Sequence, residues 1–193
     1  MPEANSHNGS PKRRRGQALA TAAYWNDHFS QSNGADEPTH EWLRNFAELE
    51  PFFNSKMFGV SGFEPEKRPL IVHLGSGDST IPMDFAARGY TRQLCIDFSS
   101  TVVNKMTGRH AGHGIEWRLL DLRNMKVVVA DTSIDVAFDK SILDAMIYGK
   151  VLDNTLAYLS EVHRTLKDTG GLFCVSFRQP HFMKPLFSRE GLT

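Results

Sequence analysis

Apolar positions along this chain follow two regimes. Up to Phe53 they recur at helical spacing; from Leu70 onward, short unbroken apolar runs alternate with amphipathic stretches. Ala18, Leu19, Ala22, Tyr24, Trp25 and Phe29 predict a first helix, followed by a polar loop with Gly34. Thr39 is a candidate N-cap for a second helix through Trp42, Leu43, Phe46 and Leu49, which Pro51 should stop. Gly59, Gly62 and Pro65 mark a loop that separates this helical preface from the rest. Leu70–Leu74 then reads as a strand entering Gly75-Ser76-Gly77, with a helix to Arg88 that Gly89 ends. Gln93–Ile96 forms a second strand ending at Asp97, and Ser99 caps a helix bearing Val102, Val103 and Met106. Ile115–Leu120 and Ile134–Phe138 predict strands ending at Asp121 and Asp139. A helix over about 152–166 leads through Gly170-Gly171 to a fifth strand, Leu172–Phe177. Strands alternating with helices predict an α/β fold, a doubly wound and mostly parallel sheet with helices on both faces.

Composition narrows the classes without naming a function. The 193 residues suffice for one domain of ordinary size, and 40% hydrophobic residues suffice for a packed core. Lys+Arg and Asp+Glu both count 22, a balance that argues against direct nucleic-acid binding by phosphate neutralisation. No apolar run approaches the roughly 18 residues of a membrane-spanning helix. Cys95 and Cys174 have neither metal-ligand spacing nor the number for a disulfide framework, so no metal is expected. Residues 1–16 read as a disordered tail carrying the basic run Lys12-Arg13-Arg14-Arg15. The run is either a solvated tail, a nuclear import signal or a contact for an anionic partner. The chain is expected to be soluble and cytoplasmic, with nuclear entry as the alternative, and a monomer or weak oligomer.

In an open α/β sheet, ligands bind beyond the carboxyl ends of the strands. Here Gly75-Ser76-Gly77, Asp97, Asp121 and Asp139 all fall on that edge. A dinucleotide turn adds a third glycine so that the helix start can meet phosphates. This chain has Thr80 there, and Asp78 places an anion where a phosphate would sit. Asp97, about twenty residues beyond the turn, is placed for a ribose diol, and Phe98 for a purine face. Asp121 can accept from an exocyclic amine. Adenosine with a cationic amino-acid tail is S-adenosylmethionine.

Four segments, HLGSGDST, LCIDFSSTVVNKM, IEWRLLDLRNM and DVAFDKSILDAM, resemble in order and spacing the class I methyltransferases of the eEF1A lysine methyltransferase type, the methyltransferase-like proteins. Tyr24-Trp25-Asn26-Asp27-His28-Phe29 resembles that family's Tyr-Trp opening, and Glu41-Trp42-Leu43 its acid-Trp segment. The resemblance implies a Rossmann-like methyltransferase domain over 17–193, with the preface at 17–53 and the core at 70–177. It implies that Gly75, Ser76 and Gly77 lie under the methionine part, Asp97 holds the ribose, Phe98 and Leu122 flank the adenine, and Asp121 faces its amine. Trp25, Phe29 and Trp42 would close over the methionine end, with Lys140 lining the same cavity. Asp139 is the candidate catalytic residue, to orient or deprotonate an acceptor amine. Asp144, a helix residue, is the weaker choice.

The implied activity is methylation of a lysine on a protein such as a translation elongation factor. The alternatives are a small-molecule methyltransferase and a non-catalytic cofactor-binding or scaffold protein. Three departures from the family bear on this. Ser141-Ile142 stands for the usual Gly-Thr, His28 for an arginine, and after the fifth strand no further helix or antiparallel strand pair is expected.

Overall fold

The computed structural model describes residues 18–19, 21–31, 41–148 and 152–188. The Lys12–Arg15 run and Thr39 lie outside the described residues. The first helix, α1 (Ala22–Ser30), starts where the Thr21 side chain accepts the Tyr24 N–H. The second, α2 (Phe46–Phe53), starts later than the apolar spacing implied. Asn45 and Glu48 form a reciprocal capping box there, leaving Trp42 and Leu43 outside the helix. Pro51 does not stop it. The chain continues helical through Phe53 and widens into a π-turn at Asn54–Phe58.

The core alternates as expected: β1 (Ile71–Leu74), α3 (Ile81–Ala87), β2 (Gln93–Asp97), α4 (Ser100–Arg109), β3 (Ile115–Leu119) and β4 (Ile134–Lys140). There follow α5 (Ile142–Tyr148), α6 (Leu152–Thr165), β5 (Leu166–Val175) and α7 (Pro180–Phe187). The five strands are all parallel in the order β3-β2-β1-β4-β5, with Leu74 paired to Ile96 on one side and Asp139 on the other. β5 starts earlier than Gly170-Gly171 implied. Its register slips against β4 between Ile134 and Val136, and Gly170 fits there because a β-carbon would press on the Ile134 carbonyl at 2.8 Å. A helix after β5, expected to be missing, is present as α7, while no strand follows β5 among the described residues.

Alternation along the strands sorts the core into two faces. Val72, Leu74, Ile96 and Ala137 point toward Leu143, Tyr158 and Val162, whereas Ile71, Val136 and Phe138 point toward Phe46, Phe53 and Phe85. The preface is therefore part of the core. Phe53 is fully buried, with its ring 4.9 Å from Phe85 and 5.4 Å from Phe138. Phe53→Ala should cost about 3–5 kcal/mol, read as a lower urea midpoint at unchanged slope. A loss under about 1 kcal/mol would mean that α2 is not packed as described.

Candidate functional site

A cavity of about 340 Å³ opens at the carboxyl edge of the sheet, within the range of small-molecule sites. Because the strand order is β3-β2-β1-β4, the segment ends bearing Asp121, Asp97, Gly75 and Lys140 line up along it. Three strand spacings make that row about 14 Å long. Gly75 and Gly77 take φ of +63° and +52°, a region that side chains resist. A β-carbon on Gly75 would collide with Ile142 Cδ1, and one on Gly77 would stand 3.4 Å from the Phe29 ring. The turn is thus a cradle only glycine leaves open.

Asp97 is buried, its two oxygens accepting N–H groups from Gly77 at 3.0 Å and Ser99 at 2.9 Å. Each oxygen keeps capacity for a further donor from the cavity. Burial outweighs these bonds and pushes its pKa to about 6. Asp121 also lines the cavity, but its carboxylate is held by the Arg123 guanidinium at 2.9 and 3.0 Å, which keeps its pKa below the ordinary value. Arg123 is the partner that sequence reasoning missed. Ser76, Phe98 and Leu122 line the cavity as well.

From the preface, Trp25, Phe29 and Trp42 form one aromatic wall. Trp25 lies 5.8 Å from both other rings and donates its Nε1–H to the Leu19 carbonyl at 2.8 Å. Lys140 reaches the same wall, where its ammonium meets the carboxylate of Glu41. Glu41 also accepts the Thr80 N–H at 2.6 Å and the Ser79 hydroxyl at 3.0 Å. Burial would raise the Glu41 pKa, but the Lys140 hydrogen bond and charge, with Thr80 and Ser79, hold it below the ordinary value. The anion at the start of α3 is therefore the chain's own Glu41.

Asp139 does not line the cavity. It is fully buried and accepts from the N–H groups of Ile142 and Leu143, at 2.8 and 3.1 Å, and from the Tyr158 hydroxyl at 2.7 Å. Its carboxylate caps α5 and cannot touch an acceptor. The acid on that wall is Asp144, one turn further on, held by the Ser176 hydroxyl at 2.9 Å and facing Arg178 at 3.2 Å. Ser141, Asp144, Ala145 and Tyr148 line the cavity at helical spacing, a periodicity the sequence does carry.

A family model described as a methyltransferase domain matches residues 72–174, more than half of the chain. The chain belongs to that family. It is a methyltransferase domain of the class whose methyl donor is S-adenosylmethionine. Among curated proteins it is 29% identical over 174 residues to the eEF1A lysine and N-terminal methyltransferase of Bos taurus, covering 87% of this chain and 23% of that protein. It is 28% identical over 171 residues to the EEF1A lysine methyltransferase 4 of Bos taurus, covering 82% of this chain and 62% of that one. The chain thus spans about a quarter of one relative's length and under two thirds of the other's. Two solved structures share the fold: the PH0226 protein of Pyrococcus horikoshii (TM-score 0.52, 19% identity, 66% of this chain and 54% of that one) and the bifunctional kinase-methyltransferase WbdD (0.53, 12%, 73% and 33%).

The cavity fits such a donor. Among the described lining residues, Asp78, Asp97, Asp121 and Asp144 outnumber Lys140 and Arg123; Glu41 neutralises the lysine, and Arg178 faces Asp144 from beside the wall. That acidic balance suits a ligand with a sulfonium and an ammonium and opposes a pyrophosphate. Asp97 would hold the ribose, the glycine turn the amino-acid tail, and the preface aromatics the sulfonium.

Two outcomes follow. Asp97→Asn should weaken S-adenosylhomocysteine binding by about 1–3 kcal/mol, measured by titration calorimetry. Wild-type affinity in that variant would remove Asp97 from the site. Burial raises the Asp139 pKa from 3.8 to about 6, so the folded state takes up a proton that the unfolded chain does not. Its contribution to stability is present below about pH 4 and lost as the pH rises through about 6. Tyr158→Phe removes a donor to the charged form. It should cost about 1–3 kcal/mol at pH 7.5 and clearly less at pH 4.5, by denaturant unfolding. An equal cost at both values would contradict the assignment.

Proposed function

We propose that this domain moves the methyl group of S-adenosylmethionine to the amine of a lysine side chain on a protein, a translation elongation factor being the first candidate. The observation that carries the reading is the cavity wall beyond the glycine turn, where Asp144 stands with Trp25, Trp42, Tyr148 and Phe177. Trp42, Tyr148 and Phe177 are more than a third exposed, so the aromatic wall reaches the surface where a side chain on a large partner could enter. The names of the curated relatives support the same acceptor. We assign the working unit to residues 17–193, in the cytoplasm, with nuclear entry through the basic run as the alternative.

When bound, the cofactor supplies an electrophilic methyl on a positively charged sulfur. The chain's part is to hold an amine in line with that methyl and exclude water. The acidic wall draws in the cationic lysine, and the aromatic rings favour the neutral amine by removing water from it. Asp144 is placed to accept a hydrogen bond from the amine and orient it. Its own position is fixed by Ser176 and by the Phe177 N–H at 3.3 Å. Asp139 serves at one remove, by capping the helix that carries Asp144.

The test is transfer of a radiolabelled methyl group to whole-cell extract and to purified elongation factor 1A, with protein and small-molecule fractions separated. Label in protein, lowered about 10²-fold or more by Asp144→Asn, is the expected result. Label confined to small molecules would replace the acceptor, and cofactor binding without any transfer would make the domain a non-catalytic binder.

A further inference from the structure

Lys140 stands at the end of β4 with its side chain only 8% exposed, and its acceptors among the described residues lie on one short strap. Its Nζ donates to the Glu41 carboxylate, to the Trp42 carbonyl at 3.0 Å and to the Arg44 carbonyl at 3.4 Å. Between those carbonyls Leu43 has φ of +64°, and the Arg44 N–H closes back on the Trp42 carbonyl at 2.8 Å. A three-residue turn of that hand is rare for a residue with a β-carbon and persists only where its surroundings impose it. The surroundings here are the ammonium on one side and the α3 start on the other. Glu41 is fastened to Ser79 and Thr80 after β1, while Lys140 ends β4, the neighbouring strand. The strap is thus tied to both lips of one end of the cavity. That is the end away from Asp97 and Asp121, and there Trp42 meets Trp25.

We infer that Lys140 is a positioning residue that pins the Glu41–Arg44 strap in its strained turn, keeps Trp42 closed over the donor end of the cavity, and sets how long the cofactor stays bound. The inference rests on the reading that this cavity holds the methyl donor. Most exposed ion pairs contribute little and are screened by salt, but this one is largely shielded, its side chains 8% and 15% exposed. The ammonium is engaged by the strap, and its work is to hold backbone carbonyls in place.

Stopped-flow tryptophan fluorescence with S-adenosylhomocysteine on the full chain tests this. Trp25 and Trp42 border the cavity, whereas Trp117 lies on β3 outside its lining. Lys140→Met should raise the dissociation rate about tenfold or more with little change in association, since affinity changes within one interface fall mainly on dissociation. Lys140→Arg, which keeps the charge and the donors, should recover most of the residence time. Should Lys140→Met fail to fold, Glu41→Gln keeps acceptors for Thr80 and Ser79 while releasing the charge, and should speed dissociation in the same direction. A purely structural role would lower the melting temperature and leave the dissociation rate of the folded fraction unchanged. That result, in either variant, overturns the inference. No binding to the parent protein would instead overturn the cofactor reading on which it rests.

Discussion

A carboxylate buried at the end of a parallel strand must find N–H donors, and that requirement shapes both flanks of the glycine turn. Asp97 ends β2 and Asp139 nears the end of β4, the two strands that sandwich β1. Burial raises both to a pKa of about 6, so they share one electrostatic situation. Their surroundings assign opposite tasks. Asp97 takes one backbone donor on each oxygen and still faces the cavity. Asp139 takes two backbone donors and a tyrosine hydroxyl, all from inside the protein. One carboxylate is left for a ligand, and the other fixes the direction in which α5 leaves the sheet.

The preface completes this edge electrostatically as well as by packing. In dinucleotide-binding folds a phosphate answers the N–H groups at the first helix start. Here Glu41 answers the Thr80 N–H, and the counterion of Glu41 is Lys140. Two of the segments through which the chain resembles its family, Glu41-Trp42-Leu43 and DVAFDKSILDAM, are therefore joined by one ion pair. An anion already in place leaves the cavity acidic, which selects a cationic ligand over a phosphorylated one.

The departures at Ser141-Ile142 acquire a physical content from the same geometry. Ser141 has φ of +77°, so the glycine common in the family is the unstrained residue at that position. Ile142 places its Cδ1 against Gly75, which makes the floor of the cavity more apolar and tighter than a threonine would. Both changes lie where β4 passes into α5, on the side of Asp144 and away from Asp97.

The alternation of apolar runs and amphipathic stretches determined the parallel sheet, because strands covered on both faces need continuous hydrophobicity. The Gly75–Gly77 turn and the acids ending β2 and β3 were legible for a related reason: positive φ and strand-end chemistry are local demands. All eleven residues expected to bind cofactor do line the cavity, from Trp25 to Lys140. Orientation was not local. Asp139 and Asp144 are both acids in one segment, and only the packing of Tyr158 from α6 shows which is turned inward. Helix ends were misplaced where a side-chain cap outranked apolar spacing, as at Asn45, or where the helix absorbed a proline, as at Pro51. Spacing along the chain determined which residues reach the carboxyl edge; the tertiary structure decided which way each side chain faces there, because that depends on donors supplied by segments 19 to 99 residues away.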